Sequence, residues 1–363
     1  MGLLGKLFGK KTESSLRIPK GFVLTTVEKI QRETPLSVSI QFRIPEEHKS
    51  RFNFIPGQYI TVLVTVNGKE ERRSYSLCSS PEEGIRIGVK EVEDGIVSTF
   101  LNRQLAEGQE IMISFPEGNF RLKEKTGNYV AFAAGSGITP ILSIAKTLAG
   151  AGGKLNLFYG NRTQETIMFR SELEQLSPAV QVKHILSGEE LEGFGTGRLN
   201  KDKISEIIKQ DLAMLRADGF FICGPEEMIV SAIETLKLFG VQEDKIIYEL
   251  FTTPVLMKSN EKKVVAEQFE GVSHVEVEMD GEMITFDLAT KGKSILDHLT
   301  DMGEDAPYSC KGGVCCTCRA KVTEGLAVMD LNYSLTDKEV EEGYVLTCQA
   351  HPASETLKLT YDE

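Results

Sequence analysis

Cys310, Cys315 and Cys318 are separated by four residues and then by two, and Cys348 follows after a long gap. Thiolates spaced C-x4-C-x2-C…C can wrap an iron pair as a [2Fe-2S] cluster. The backbone between the first three must turn sharply. Gly312 and Gly313 permit that, because glycine reaches positive φ without a Cβ clash. The run Gly343–Thr347 reads as extended and able to bring Cys348 back to the loop. Two other readings compete. A four-cysteine zinc site usually presents two C-x2-C knuckles, whereas here one such pair stands with two single cysteines. Buried structural thiols would need no fixed spacing. Only Cys315 preserves the four-then-two pattern, so its neighbour Cys316 is read as a non-ligand. An iron–sulfur centre carries single electrons, and the rest of the chain must supply them.

Further stretches combine polar side chains with glycine. Arg72-Arg73-Ser74-Tyr75-Ser76 sets cations, an aromatic ring and hydroxyls on one strand and its exit. Gly95-Ile96-Val97-Ser98 reads as the mouth of a helix, whose free backbone N–H groups bind phosphate oxygens. A polar strand end and an ordinary helix cap are the plain alternatives. Gly135-Ser136-Gly137-Ile138-Thr139-Pro140 follows a buried run and opens a helix, and Cys223-Gly224-Pro225 ends another such run. Pro140 stands where the third glycine of G-x-G-x-x-G would be, but the strand-to-helix setting favours dinucleotide binding. The next strand ends in Asn161-Arg162 rather than in an acid. An acid there accepts the ribose hydroxyl of NAD, while an arginine accommodates the 2′-phosphate of NADP. That points to NADPH, with NADH as the alternative and a merely solvated Arg162 as the plain one.

These residues need scaffolds of different kinds. Residues 1–18 read as a frayed basic tail. From 19 to 124, short alternating runs recur between Gly, Pro and Asn clusters, which implies an antiparallel β-barrel. From 125 to 251, apolar strands alternate with helices, implying a doubly wound parallel α/β sheet with ligands at its carboxyl edge. Residues 252–270 are polar and mixed in charge, as expected of a linker flexible enough to move the last domain. Residues 271–363 open on two alternating strands joined through Asp280-Gly281, a hairpin signal. A short helix over 294–299 and the cysteine loop follow.

Composition narrows the setting. Hydrophobic residues make up 41% and charged residues 26%, ordinary for a soluble globular protein. No apolar run approaches the roughly 18 residues that cross a bilayer, so no integral membrane association is expected. Four of seven cysteines are assigned to one site and none form a disulfide framework, which points to the reducing cytoplasm. Residues 271–363 hold 18 Asp and Glu against 7 Lys and Arg, which is nearly all of the net charge of -12. Such a surface argues against nucleic acid and can steer encounter with a basic protein; solubility is the bland reading. The five histidines are scattered and suggest no hydrolytic constellation.

Taken in order, the Arg73, Gly95, Gly135 and Cys223 segments resemble the successive signatures of the ferredoxin–NADP reductase superfamily. With its C-terminal cysteine module, the chain is similar over nearly its whole length to the oxygenase reductases. Tyr159–Arg162, Met168-Phe169, Met329–Tyr333 and Gly343–Gln349 resemble the branch serving phenylacetyl-CoA epoxidases. The resemblance implies a flavin barrel, a nucleotide domain and an α+β β-grasp ferredoxin domain. It implies FAD, with FMN in some relatives, stacked on Tyr75, hydrogen-bonded by Ser76 and neutralised at its diphosphate by Arg73. Gly95, Val97 and Ser98 would hold that diphosphate. Gly135 and Gly137 would form the nucleotide loop. Thr139 and Pro140 would bridge the flavin and nicotinamide sites, and Cys223, Gly224 and Pro225 would flank the nicotinamide. Glu249 and Phe251 would close the far side of the flavin. The implied activity is electron transfer from NADPH through FAD and the cluster to a separate oxygenase. A diiron acyl-CoA epoxidase of phenylacetate degradation is the expected partner, with a Rieske or other multicomponent oxygenase as the alternative. A redox adaptor without turnover is the reading from another class. NADP-specific relatives often carry an Arg after the Ser that ends the third strand. This chain has Ser187-Gly188-Glu189, so the NADPH expectation rests on Arg162.

Overall fold

A computed structural model describes residues 18–257 and 269–362; the basic tail and the middle of the linker lie outside the described residues. The N-terminal domain contains β1 (Phe22–Thr34), β2 (Ser37–Arg43), β3 (Tyr59–Val66), β4 (Lys69–Ser76), β5 (Arg86–Lys90), α1 (Ile96–Arg103) and β6 (Glu110–Ser114). Its antiparallel sheet runs β4-β3-β6-β1-β2-β5. A bridge between Leu77 and Ile87 joins the two edges and closes the barrel. Ile40, Ile60, Val62, Ile87 and Ile113 fill the interior, all fully buried. Each such side chain contributes about 1.5–3 kcal/mol.

Strand alternation gives β4 two working faces. Arg73 and Tyr75 pair with Val62 and Ile60, whereas Arg72, Ser74 and Ser76 pair with Leu63, Thr61 and Tyr59. The first face adjoins the barrel core, and the second meets the other two domains.

The central domain contains β7 (Asn128–Ala134), α2 (Ile138–Ala151), β8 (Lys154–Asn161), α3 (Arg170–Gln175), β9 (Val180–Leu186), β10 (Gly195–Thr196), α4 (Lys201–Gln210), β11 (Gly219–Cys223), α5 (Glu226–Leu238) and β12 (Ile246–Glu249). The order β10-β9-β8-β7-β11-β12 is parallel throughout. Strand order reverses at β7, so the loops after β7 and β11 flank the crevice where such sheets bind ligands. The helix that follows Met168 starts at Arg170 because Phe169 takes a left-handed conformation, φ 59°.

The C-terminal domain contains β13 (Val272–Met279), β14 (Glu282–Ala289), α6 (Ile295–Asp301), β15 (Arg319–Glu324), β16 (Ala327–Met329), α7 (Asp337–Glu341), β17 (Tyr344–Leu346), β18 (Ala350–Pro352) and β19 (Thr356–Thr360). Its main sheet runs β14-β13-β19-β15-β17, with β13 and β19 parallel. The hairpin turn at Asp280 and Gly281 has φ of 66° and 73°, the positive pair that a two-residue turn requires. Ser294 caps α6 by accepting the Asp297 N–H. Among the described residues no helix is long and apolar enough to cross a membrane.

The linker departs from its expected flexibility at its start. The Glu226 carboxylate, at the first turn of α5, accepts the N–H groups of Val255, Leu256 and Met257 at 2.8, 2.6 and 2.7 Å. These residues are therefore tied to the central domain.

Candidate functional site

The two glycine loops of the central sheet touch. A Cβ on Gly137 would meet the Cys223 carbonyl oxygen at 2.1 Å, so only glycine lets α2 begin that close to the end of β11. Tyr159 supports the loop by donating to the Gly135 carbonyl at 3.0 Å. Thr139 and Pro140 are buried in the first turn of α2, and the Thr139 hydroxyl donates to the Ser136 carbonyl at 3.0 Å. Thr139 also faces the barrel. A Cβ on Gly88 of β5 would lie 2.7 Å from the Thr139 methyl and 2.8 Å from the Phe169 ring. The glycine thus lets the barrel approach the nucleotide loop.

Asn161 and Arg162 end β8, beside the end of β9. The Asn161 carbonyl accepts the Ser187 N–H at 3.0 Å, and that of Arg162 accepts the Gly188 N–H at 2.7 Å. Arg162 is exposed, with no ion-pair partner among the described residues, while the Glu189 carboxylate accepts the Gln164 N–H.

Ser76, Glu249 and Cys223 come together from three strands. Ser76 Oγ donates to Glu249 Oε2 at 3.0 Å, and Cys223 lies in register with Glu249 on the neighbouring strand. Burial pushes the Glu249 carboxyl up to about 8, tempered by the Ser76 hydrogen bond. Burial and then the Glu249 charge push the Cys223 thiol well up. Both groups are uncharged near neutrality. Phe251 remains 42% exposed at the rim. A cavity of about 620 Å³ extends from Ser76, Glu249 and Phe251 to Cys310 and Cys315 of the cysteine loop. That volume suits a cofactor-sized ring system, and Tyr75 lies partly buried on the same strand as Ser76. Arg73 is held by Glu71 at 3.3 Å and donates to the Arg72 carbonyl at 2.7 Å. At the mouth of α1, the Ser98 hydroxyl accepts the Val92 N–H at 3.1 Å and donates to the Gly95 carbonyl at 3.3 Å. This fixes Gly95, Val97 and Ser98 at the helix start, where the first N–H groups have no intrahelical partner.

The four cysteines gather as two pairs: the Cys310 N–H donates to Cys315 Sγ at 3.5 Å, and Cys318 and Cys348 lie close enough to shift each other's thiol. A two-iron cluster takes two thiolates at each iron, whereas a single zinc ion needs all four at one centre. The pairing therefore fits the cluster. Thr347 brings the last cysteine home, its N–H and hydroxyl both donating to the Cys318 carbonyl at 3.0 Å. The neighbouring Cys315 thiol, helped by the Gly312 N–H at 3.3 Å, lowers the Cys310 thiol below its usual range. Gly313 makes the expected turn, with φ of 75°. Gly312 does not take positive φ; a Cβ there would meet Thr253 Oγ1 at 2.0 Å, so the exposed Thr253 side chain would have to turn away. Cys316 joins neither pair and lies 3.9 Å from the Asn119 amide.

The sequence pattern left other participants unmarked. Tyr59 contacts the Thr317 hydroxyl at 3.2 Å, and Thr317 donates to Glu117 at 2.9 Å, joining barrel to cysteine loop. Burial pushes Glu117 up to about 7. Only Gly88 carried a signal, an isolated glycine inside a strand, which often marks close backbone approach.

Three stretches of the chain match families of known proteins. Residues 22–122 match the family described as Oxidoreductase FAD-binding domain. Residues 132–233 match the Oxidoreductase NAD-binding domain. Residues 277–353 match the 2Fe-2S iron-sulfur cluster binding domain. The chain is 36% identical to one of the subunits of 1,2-phenylacetyl-CoA epoxidase of Escherichia coli (strain K12), across 93% of this chain and 97% of the relative. It is 31% identical to the ferredoxin reductase component of 3-ketosteroid-9-alpha-monooxygenase of Rhodococcus rhodochrous, covering 96% and 100%. The phthalate dioxygenase reductase structure shares the fold, with a TM-score of 0.57 at 22% identity over 94% and 98% of the chains.

Proposed function

Because this chain belongs to the oxygenase reductases that bind FAD, NAD and a 2Fe-2S cluster, we propose that it carries electrons from NADPH to a diiron acyl-CoA oxygenase, phenylacetyl-CoA epoxidase. The observation that carries this reading is the single cavity reaching from Ser76 and Glu249 to Cys310 and Cys315. When bound, FAD supplies the conversion of a two-electron hydride into single electrons, which the cluster carries one at a time. Tyr75 and Phe251 would pack against the flavin ring, and Gly95, Val97 and Ser98 would hold its diphosphate. Arg73 turns from Glu71 to that diphosphate. Gly135, Gly137, Thr139 and Pro140 with Gly224 and Pro225 position the dinucleotide so that the nicotinamide lies against Cys223. Near neutrality Glu249 keeps its proton, which would leave no negative charge beside the ring that gains hydride. Asn161 shapes the end of β8, and the exposed Arg162 receives the 2′-phosphate. Cys310, Cys315, Cys318 and Cys348 hold the cluster. Seven free cysteines suit a reducing cytoplasm.

The test is reconstitution of purified holoprotein with the catalytic subunits of phenylacetyl-CoA epoxidase and NADPH. Epoxide formed only when all parts are present supports the proposal. The ketosteroid relative, at 31% identity, favours a second reading, a multicomponent oxygenase of another substrate class. Failure to epoxidise by a preparation that still reduces cytochrome c would turn the assignment to that reading.

A further inference from the structure

Arg72 occupies the face of β4 opposite Arg73 and Tyr75 and is only 5% exposed. Its Nη2 donates to Asp305 Oδ1 at 2.7 Å, and its guanidinium carbon lies 4.5 Å from the centre of the Tyr308 ring. Its Nε is buried without a partner among the described residues. Two residues on, Ser74 Oγ donates to Ser309 Oγ at 2.8 Å. Asp305, Tyr308 and Ser309 lead straight into Cys310. One face of β4 therefore carries both Ser76, at the cavity, and the two residues that hold the entrance of the cysteine loop.

The chemistry of this contact sets it apart from its neighbours. The Tyr59–Thr317 contact is neutral, and the Lys20 pairs with Asp280 and Asp362 stand at the rim, with Lys20 51% exposed. Rim pairs of that kind contribute little. The Arg72–Asp305 pair is 5% and 25% exposed, and removing one partner would leave the other charge in a poorly hydrated place. Undocking is the relief open to it.

We propose that Arg72 is a positioning residue for electron transfer from flavin to cluster, clamping Asp305 and Tyr308 so that the cysteine loop stays against the flavin-binding strand. The proposal rests on the reading that both cofactors bind in this chain as described. In the step it serves, one electron is lost by reduced flavin and gained by one ferric ion of the oxidised cluster; no bond to protein changes.

Holoprotein carrying Asp305→Asn, Arg72→Met or both is mixed rapidly with NADPH, and flavin and cluster reduction are followed separately. Asp305→Asn should leave flavin reduction within twofold of the parent. It should slow cluster reduction at least tenfold, a shift in docking of about 1.4 kcal/mol. The double variant should be slowed by less than the product of the two single effects, because both substitutions break the Arg72–Asp305 pair, while Asp305→Asn also weakens the bond that Asp305 Oδ2 accepts from the Lys20 N–H at 3.1 Å. Asp305→Glu should recover part of the rate. Amide exchange over residues 305–311 should rise in Asp305→Asn while the cluster's paramagnetic resonance signal keeps its shape. Cluster reduction within twofold of the parent in Asp305→Asn, or independent effects that multiply in the double variant, would overturn the clamp. An unsubstituted holoprotein whose cluster NADPH cannot reduce would instead overturn the reading on which it rests.

Discussion

Gly88→Ala is the most informative single substitution at the barrel–nucleotide contact. The added Cβ would stand 2.7 Å from the Thr139 methyl and 2.8 Å from the Phe169 ring. Carbon contacts are comfortable at about 3.5–4.0 Å, so the surfaces must part by about 1 Å. Neither neighbour can turn aside cheaply. Rotating Thr139 would break its hydroxyl's bond to Ser136, and Phe169 is 2% exposed in a left-handed position. The parting is also resisted by the Arg86–Glu172 and Lys146–Glu83 pairs, at 2.6 and 2.8 Å, which join barrel and nucleotide domain. Overpacking of this kind costs about 1–3 kcal/mol. Its larger effect is on geometry, since a misplacement of about 1 Å between reacting groups can cost roughly 10²-fold in rate. Rapid mixing with saturating NADPH should show flavin reduction slowed by about that factor, with FAD and iron content unchanged. Flavin reduction within threefold of the parent, at normal FAD content, would refute the claim that Gly88 sets this distance.

Cys348→Ala should lose the cluster, seen as lost visible absorption and iron, while flavin reduction by NADPH continues; Cys316→Ala should keep both. Arg162→Ala should raise KM for NADPH by roughly 10–100-fold, the loss of one charged hydrogen bond, and hardly change KM for NADH. An equal rise for both would remove Arg162 from the 2′-phosphate. Glu249 is held protonated by the fold, up to about 8 from an ordinary 4.5. Its contribution is full below about 4.5 and is lost as pH rises through about 8, by at most about 5 kcal/mol. The melting temperature of the parent should therefore fall relative to Glu249→Gln between pH 5 and 9; a constant gap would show that the carboxyl ionises without cost.

What the sequence made legible was local. The cysteine spacing, the Asp280-Gly281 turn and the strand-to-helix glycine loops each depend on neighbours a few residues apart. The paired cysteines then needed only β17 to return Cys348. Contacts between domains were hidden, because Arg72 and Asp305, or Tyr59 and Thr317, meet only once separate folds have docked. The same limit explains the linker. Polar, mixed-charge residues signal freedom unless a distant acceptor such as Glu226 captures their N–H groups. Gly312 takes no positive φ, and what lies against it is Thr253, a residue distant in sequence. Local pattern marked the glycine without its cause.

The capture of Val255, Leu256 and Met257 by Glu226 bears on how such proteins can exchange parts. Composition changes at Thr252, the tempting place to join a ferredoxin module from a relative. A junction there would separate a carboxylate from the three donors it was folded around. A seam after Met257 would keep donors and acceptor in one inherited piece, so recombination between such genes should favour that later seam.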